Sequence, residues 1–166
     1  MLQLLLLRHA KSSRDEPDLE DMHRPLNERG RRDASEMGEQ MAALGLLPSL
    51  VLCSPAERTR QTWELVRPHL PQSPPATFES RIYNFGSGED LLDVIAEQGG
   101  IASPLLVIGH NPSLEGLALP LCDRDSGKLR ERMEKKYPTA TLAVFDVPIA
   151  NWGQLAPGLG RLTHFI

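Results

Sequence analysis

The sequence is poor in the residues that build disulfide scaffolds, membrane spans or metal clusters. It has two cysteines in 166 residues, Cys53 and Cys122, both in apolar surroundings and without CxxC spacing. That pattern reads as reduced core thiols in a cytoplasmic protein, not as a disulfide framework. No hydrophobic run reaches the length of a membrane span. The opening Met1-Leu2-Gln3-Leu4-Leu5-Leu6-Leu7 lacks the basic leader and small-residue cleavage site of a signal peptide, so it reads as a buried strand. No HxH, HExxH or DxD-type cluster accompanies the histidines that end the predicted strands, and no metal or other cofactor is expected. Positive charge is not in excess either: the formal net charge of -4 and pI near 5.7 exclude general attraction to nucleic acid or to an anionic membrane. Any anion site is therefore local. Without internal repeats, low-complexity tracts or a linker, and with 40% hydrophobic residues, residues 1–166 read as a single domain, expected to be a monomer.

What is present is an alternation of strands and helices. Residues 2–7 form a continuous apolar run, the pattern of a strand covered on both faces. The polar stretch 11–24 is too charged and aperiodic for core and reads as an exposed loop. Asn27 caps a helix with Ala34, Met37, Met41 and Leu44 at helical spacing, and Gly45 stops it. Leu50-Val51-Leu52-Cys53 is a second buried strand. Ser54-Pro55-Ala56-Glu57 then combines a Ser cap, a Pro and a Glu three residues on, a capping box opening a helix to about Leu70 that buries Trp63, Val66 and Leu70. Residues 71–75 break it. A helix is expected over 89–98, ended by Gly99-Gly100, and Pro104-Leu105-Leu106-Val107-Ile108 repeats the buried-strand pattern. Gly109-His110-Asn111-Pro112 follows, a strand end passing into a helix with an Asn cap. Residues 141–147 read as a strand, and 152–166 as a turn-rich return with one edge strand. The order predicts an α/β fold: three layers, α/β/α, around a mainly parallel central sheet, with ligands outside the carboxyl ends of the strands.

Three of those strand ends carry unusual chemistry. The first ends in Arg8-His9, the second leads into Arg58, and the third ends in His110. If the strands are parallel neighbours, these residues converge. Arginines match phosphate oxygens two at a time, and Arg58 gains from the positive end of its helix. A neutral imidazole attacks phosphorus and leaves a phosphohistidine that water hydrolyses; His9 is assigned that role. His110 is expected to be charged and to donate to the equatorial oxygens. Each feature alone has an ordinary explanation: a structural histidine, a surface arginine, a capped turn. Their joint placement at the carboxyl ends of buried strands is what core packing does not require. Ser12 and Asn111 are candidate substrate contacts; Lys11, Arg24 and Arg60 are candidates for the rim.

With these motifs in hand, the chain resembles the histidine phosphatase superfamily, also called phosphoglycerate mutase-like, and its short bacterial branch typified by the phosphohistidine phosphatase SixA. The carrying segments are Leu7-Arg8-His9-Ala10-Lys11-Ser12, Arg24-Pro25-Leu26-Asn27-Glu28-Arg29-Gly30, Ser54-Pro55-Ala56-Glu57-Arg58-Thr59-Arg60-Gln61-Thr62 and Val107-Ile108-Gly109-His110-Asn111-Pro112, with 152–165 also similar. The resemblance implies His9 as the phosphorylated residue, with Arg8, Arg58 and His110 completing the pocket and no cofactor. The chain departs from the family where Ala10 replaces a Gly and Asp15 stands in place of an Asn. It also has no motif match for the proton-donating Glu or Asp of larger members; Glu79, Glu89 and Asp90 are candidates by location alone. A phosphoramidate leaves as imidazole with little acid assistance, whereas an alkoxide needs a proton. A protein-borne phosphohistidine is therefore the expected substrate and partner. A small phosphoester substrate and a non-catalytic phosphate-binding module are the alternatives.

Overall fold

The computed structural model describes all 166 residues. Six strands form one sheet in the order β3-β2-β4-β1-β5-β6. They are β1 (Leu2–Arg8), β2 (Leu50–Cys53), β3 (Ala76–Phe78), β4 (Leu105–Gly109), β5 (Leu142–Val147) and β6 (Arg161–Phe165). The helices are α1 (Glu28–Ala43), α2 (Glu57–Val66), α3 (Glu89–Gln98), α4 (Ser113–Leu121) and α5 (Gly127–Lys135). The first four strands in the order, β3, β2, β4 and β1, run parallel, and β5 is antiparallel to both β1 and β6.

The leucine run explains the layering. Successive residues of a strand point to opposite faces, so Leu4 and Leu6 enter the core shared with α3 and α4, while Leu5 and Leu7 enter the core shared with α1 and α2. All four are fully buried, and each contributes about 1.5–3 kcal/mol of apolar burial. This is the three-layer arrangement the sequence predicts. No helix is long and apolar enough to cross a membrane.

Register then sets the site. Arg8 pairs with Gly109 and Cys53 with Ile108, so β1, β4 and β2 end level. The next residues stay laced together: His9 N donates to Gly109 O (3.1 Å) and Ser54 N to Ile108 O (3.0 Å). The chain leaves β1, builds β2 and β3 on one side, and returns through β4 between them. A crevice opens at the carboxyl edge where the direction of winding changes.

Several local expectations differ from the structure. Asn27 does cap α1, its Oδ1 accepting from Gly30 N (2.8 Å), and Gly45 (φ +69) ends it in the left-handed region. Leu44, however, is exposed, because it lies past the last buried turn. The capping box at Ser54 does not form. Helix α2 begins only at Glu57 with Ala56 as its cap, Ser54 Oγ turns to His110, and Glu57 accepts from Gln61 instead. The helix beyond His110 starts at Ser113 with Pro112 as its cap, although Asn111 Oδ1 still accepts from Glu115 N (3.2 Å). The expected helical end at Leu70 becomes a short 3-10 turn over Arg67–His69. Two elements carry too little pattern to be read in advance. Strand β3 is three residues on an edge, and α5 buries only Met133.

Candidate active site

Arg8, His9 and Arg58 line one cavity of about 250 Å3, together with Ser12 and Asn111. His110 stands behind them, fully buried, its ring centroid 5.4 Å from that of His9. Of the rim candidates, Lys11 and Arg24 face the cavity. Arg60 does not; its guanidinium lies 4.0 Å from the centre of the Phe78 ring and its Nε donates to Pro55 O.

His9 is oriented by its neighbour. Its Nδ1 donates to Ala10 O (2.7 Å), which leaves the lone pair on Nε2. Ala10 is fixed in turn by donating its N–H to Thr62 Oγ1 (3.0 Å), and that hydroxyl donates to Arg58 O (2.7 Å). Burial lowers the His9 pKa most; the Ala10 hydrogen bond opposes it and the charges of Arg58, Arg8 and Arg24 add to it, giving about 4. The ring is neutral at neutral pH, as attack requires.

His110 differs from the expected charged state. Burial, then Arg58 and His9, push its pKa down to about 2, so the ring is neutral. Its Nε2 lies 2.7 Å from Ser54 Oγ. Ser54 is itself fully buried and accepts from Ala56 N (3.3 Å). Its hydroxyl proton has the imidazole as its acceptor, so Nε2 accepts and Nδ1 carries the proton. A neutral His110 therefore still presents an N–H.

That Nδ1 is one of three buried side-chain polar atoms without a hydrogen-bond partner; the others are Arg8 Nε and Arg58 Nε. Unpaired buried donors are expensive and rare. Here all three belong to residues gathered at one strand edge, and a multiply charged oxyanion is the ligand that satisfies them together.

Other donors of the two arginines are held by groups that sequence reasoning missed. The carbonyl of Tyr137 accepts from Arg8 Nη1 (2.9 Å) and Asn111 Nδ2 (3.2 Å). Asp21 accepts from Arg58 twice, through its carbonyl (2.8 Å) and Oδ2 (3.0 Å), and from Arg24 Nε (3.0 Å) and Tyr83 Oη (2.5 Å). Part of the polar stretch 11–24 is thus folded against the site and not free loop. The sequence signal was only a carboxylate three residues before Arg24, which resembles any solvated pair. Partial burial opposes ionisation of Asp21, but the bonds from Tyr83, Arg58 and Arg24 outweigh it and hold the carboxyl well below the usual range. Asp21 is an acceptor, not a proton donor. Ser12 Oγ accepts from Arg24 Nη1 (2.7 Å).

The three acid candidates lie elsewhere. Glu79 is engaged by Arg81 and Gln98, Asp90 accepts from Asn84, and Glu89 borders a separate apolar groove with Leu92, Leu117 and Leu155. None lines the His9 cavity. No group of three His, Cys, Asp or Glu side chains is arranged to hold a metal ion.

Comparison with known proteins agrees with this geometry. The family model for the histidine phosphatase superfamily (branch 1) matches residues 4–98, a span that contains Arg8, His9 and Arg58. The uncharacterized protein Rv1276c of Mycobacterium tuberculosis is 35% identical over 96% of this chain and 98% of its own length. Among solved structures, the proposed phosphohistidine phosphatase SixA of Agrobacterium tumefaciens superposes with a TM-score of 0.81 at 28% identity, covering 99% of this chain and 97% of that one. The corresponding protein of Nakamurella multipartitia gives 0.82 at 27% identity, with 99% and 95% covered.

Proposed function

The chain belongs to the histidine phosphatase superfamily, branch 1, and from that premise we propose that it is a metal-independent phosphatase acting through a phosphohistidine on His9, with protein-borne phosphohistidine as its substrate. The observation that carries the reading is the neutral His9 ring, Nδ1 bonded to Ala10 O and Nε2 open, beside three unpaired buried donors. Simple anion binding gains nothing from an imidazole poised in this way.

In the first step the Nε2 lone pair of His9 bonds to phosphorus as the bond to the leaving group breaks. Arg8, Arg58 and the Nδ1–H of His110 stabilise the equatorial oxygens, and the proton on His9 Nδ1 stays on that nitrogen, donated to Ala10 O, as the ring becomes positively charged. A phosphohistidine protonated on its other ring nitrogen departs as neutral imidazole and requires no acid. Water then attacks phosphorus, the bond to Nε2 breaks, and His9 returns to its neutral form with release of phosphate. The one carboxyl group that lines the cavity, Asp21, is held ionised by Tyr83, Arg58 and Arg24 and has no proton to give, which fits this leaving group better than an alkoxide, which needs a proton as it departs. The similarity to SixA of Agrobacterium tumefaciens supports the same class.

The test compares phosphate release from a phosphohistidine-bearing protein and from para-nitrophenyl phosphate, in EDTA, for wild type and His9→Ala. Wild type is expected to prefer the phosphoramidate and to carry an acid-labile, alkali-stable phosphoryl group; His9→Ala is expected to do neither. A preference for the ester replaces the substrate assignment with a phosphomonoesterase, and turnover by His9→Ala removes the nucleophile.

A further inference from the structure

The cavity that gathers the arginines has a single apolar lining residue, Phe85. The residue is 47% exposed, so core packing does not account for it. A phosphate group alone gains nothing from it either, since the face of an aromatic ring carries negative charge density.

Phe85 is nevertheless held in place. Its ring meets Tyr83 edge-on (5.2 Å, 86°) and lies 5.1 Å from buried His110. Tyr83 is anchored by its hydroxyl on Asp21, the carboxylate that also holds Arg58. On either side of Phe85 the backbone is pinned. Asn84 O accepts from Ser113 Oγ (2.8 Å), Asn84 Oδ1 accepts from Gly86 N (2.6 Å), and the Asn84 side chain also donates to Asp90. The loop rests directly on α4 through two glycines. A Cβ on Gly116 would lie 2.2 Å from Ser87 O, and one on Gly88, at φ +99, would lie 2.6 Å from Leu117 N. A half-exposed ring fixed this firmly at the mouth of an anion cavity is a binding surface.

We propose that Phe85 selects the leaving group: its open surface stacks a planar aromatic group attached to the phosphoryl group that Arg8 and Arg58 hold, the imidazole of phosphohistidine being one such group. The inference rests on the reading that the cavity takes a phosphoryl group, but it does not depend on turnover. Offset or edge-to-face packing of a substrate ring on Phe85 is worth about three- to tenfold in affinity over a saturated ring of the same size.

Non-hydrolysable probes isolate this effect. Calorimetric binding of phenylphosphonate and cyclohexylphosphonate is compared in wild type, Phe85→Leu and Phe85→Tyr. Wild type is expected to prefer the phenyl probe by about three- to tenfold. Phe85→Leu is expected to lose that preference, and Phe85→Tyr to keep it. Equal affinity for the two probes in wild type, or failure of both to bind, overturns the proposal without any variant. A preference that survives in Phe85→Leu overturns it as well. Phosphohistidine turnover without aromatic preference sinks this inference and leaves the phosphatase standing. Aromatic preference without turnover does the reverse.

Discussion

The hydroxyl of Ser54 sets which nitrogen of His110 carries its proton, and its removal is the most informative single perturbation. In wild type Ser54 Oγ lies 2.7 Å from Nε2, accepts from Ala56 N at 3.3 Å, and is fully buried. The reverse assignment leaves the hydroxyl proton without an acceptor and turns a lone pair on Nδ1 toward the oxyanion. Ser54→Ala leaves a buried imidazole nitrogen unpaired, a loss of about 1–3 kcal/mol in stability. It also frees the ring to adopt the tautomer that cannot donate from Nδ1. A hydrogen bond to a charged group contributes about 1.5–3 kcal/mol, so kcat/KM is expected to fall about 10- to 100-fold. The assay is nitrogen-15 NMR of the His110 ring alongside steady-state rates. Wild type at pH 7 is expected to show a protonated Nδ1 and an unprotonated Nε2, and Ser54→Ala a mixture. An Nε2–H tautomer, or an imidazolium at pH 7 without bound anion, in wild type refutes the reasoning.

Other consequences are open to direct measurement. Arg58→Ala strips Asp21 of two bonds and the cavity of a donor, and is expected to lower kcat/KM about 100- to 1000-fold; Arg58→Lys, with a single nitrogen, is expected to stay at least about tenfold below wild type, and full rescue would show that bidentate geometry is unimportant. Burial holds His9 at about 4 and His110 at about 2, against an ordinary 6.5, so the unfolded chain binds more protons below pH 6.5. Stability is therefore expected to be full above that pH and to fall as pH drops through the window, by about 3 kcal/mol from His9 alone at pH 4; urea midpoints that do not move with pH, or that move equally in His9→Asn, contradict this. Gly116→Ala forces a Cβ against Ser87 O and is expected to destabilise by about 1–3 kcal/mol in thermal unfolding while displacing the Phe85 loop; an unchanged melting temperature argues that the loop is free of α4.

Periodicity made the sheet legible. The leucine run of β1, the apolar segments of β2 and β4, and the Asn27 and Gly45 punctuation of α1 are local signals, each decided by residues a few positions apart. Because strands of this kind end where the apolar run ends, the positions of Arg8, His9 and His110 at their carboxyl edge were legible too, as was Arg58 just beyond. What the local pattern could not carry was who pairs with whom. Ser54 resembles a helix cap in sequence, but at the end of β2 the neighbouring strand places His110 within reach and takes its hydroxyl. Asp21 reads as one more charge in a polar stretch until the chain folds it onto Arg58 and Tyr83. The Tyr137 carbonyl that steers Arg8 has no side-chain signature at all, since any residue supplies the same group. The protonation of His110 followed the same rule: its residue type permits either state, and only burial beside Arg58 and His9 makes it neutral. Local sequence decides which segments become strands and helices, because that depends on backbone propensity and one buried face. The hydrogen bonds and charge states of the site depend on residues up to 129 positions apart, such as Arg8 on the Tyr137 carbonyl, and those exist only once the sheet has brought its strands together.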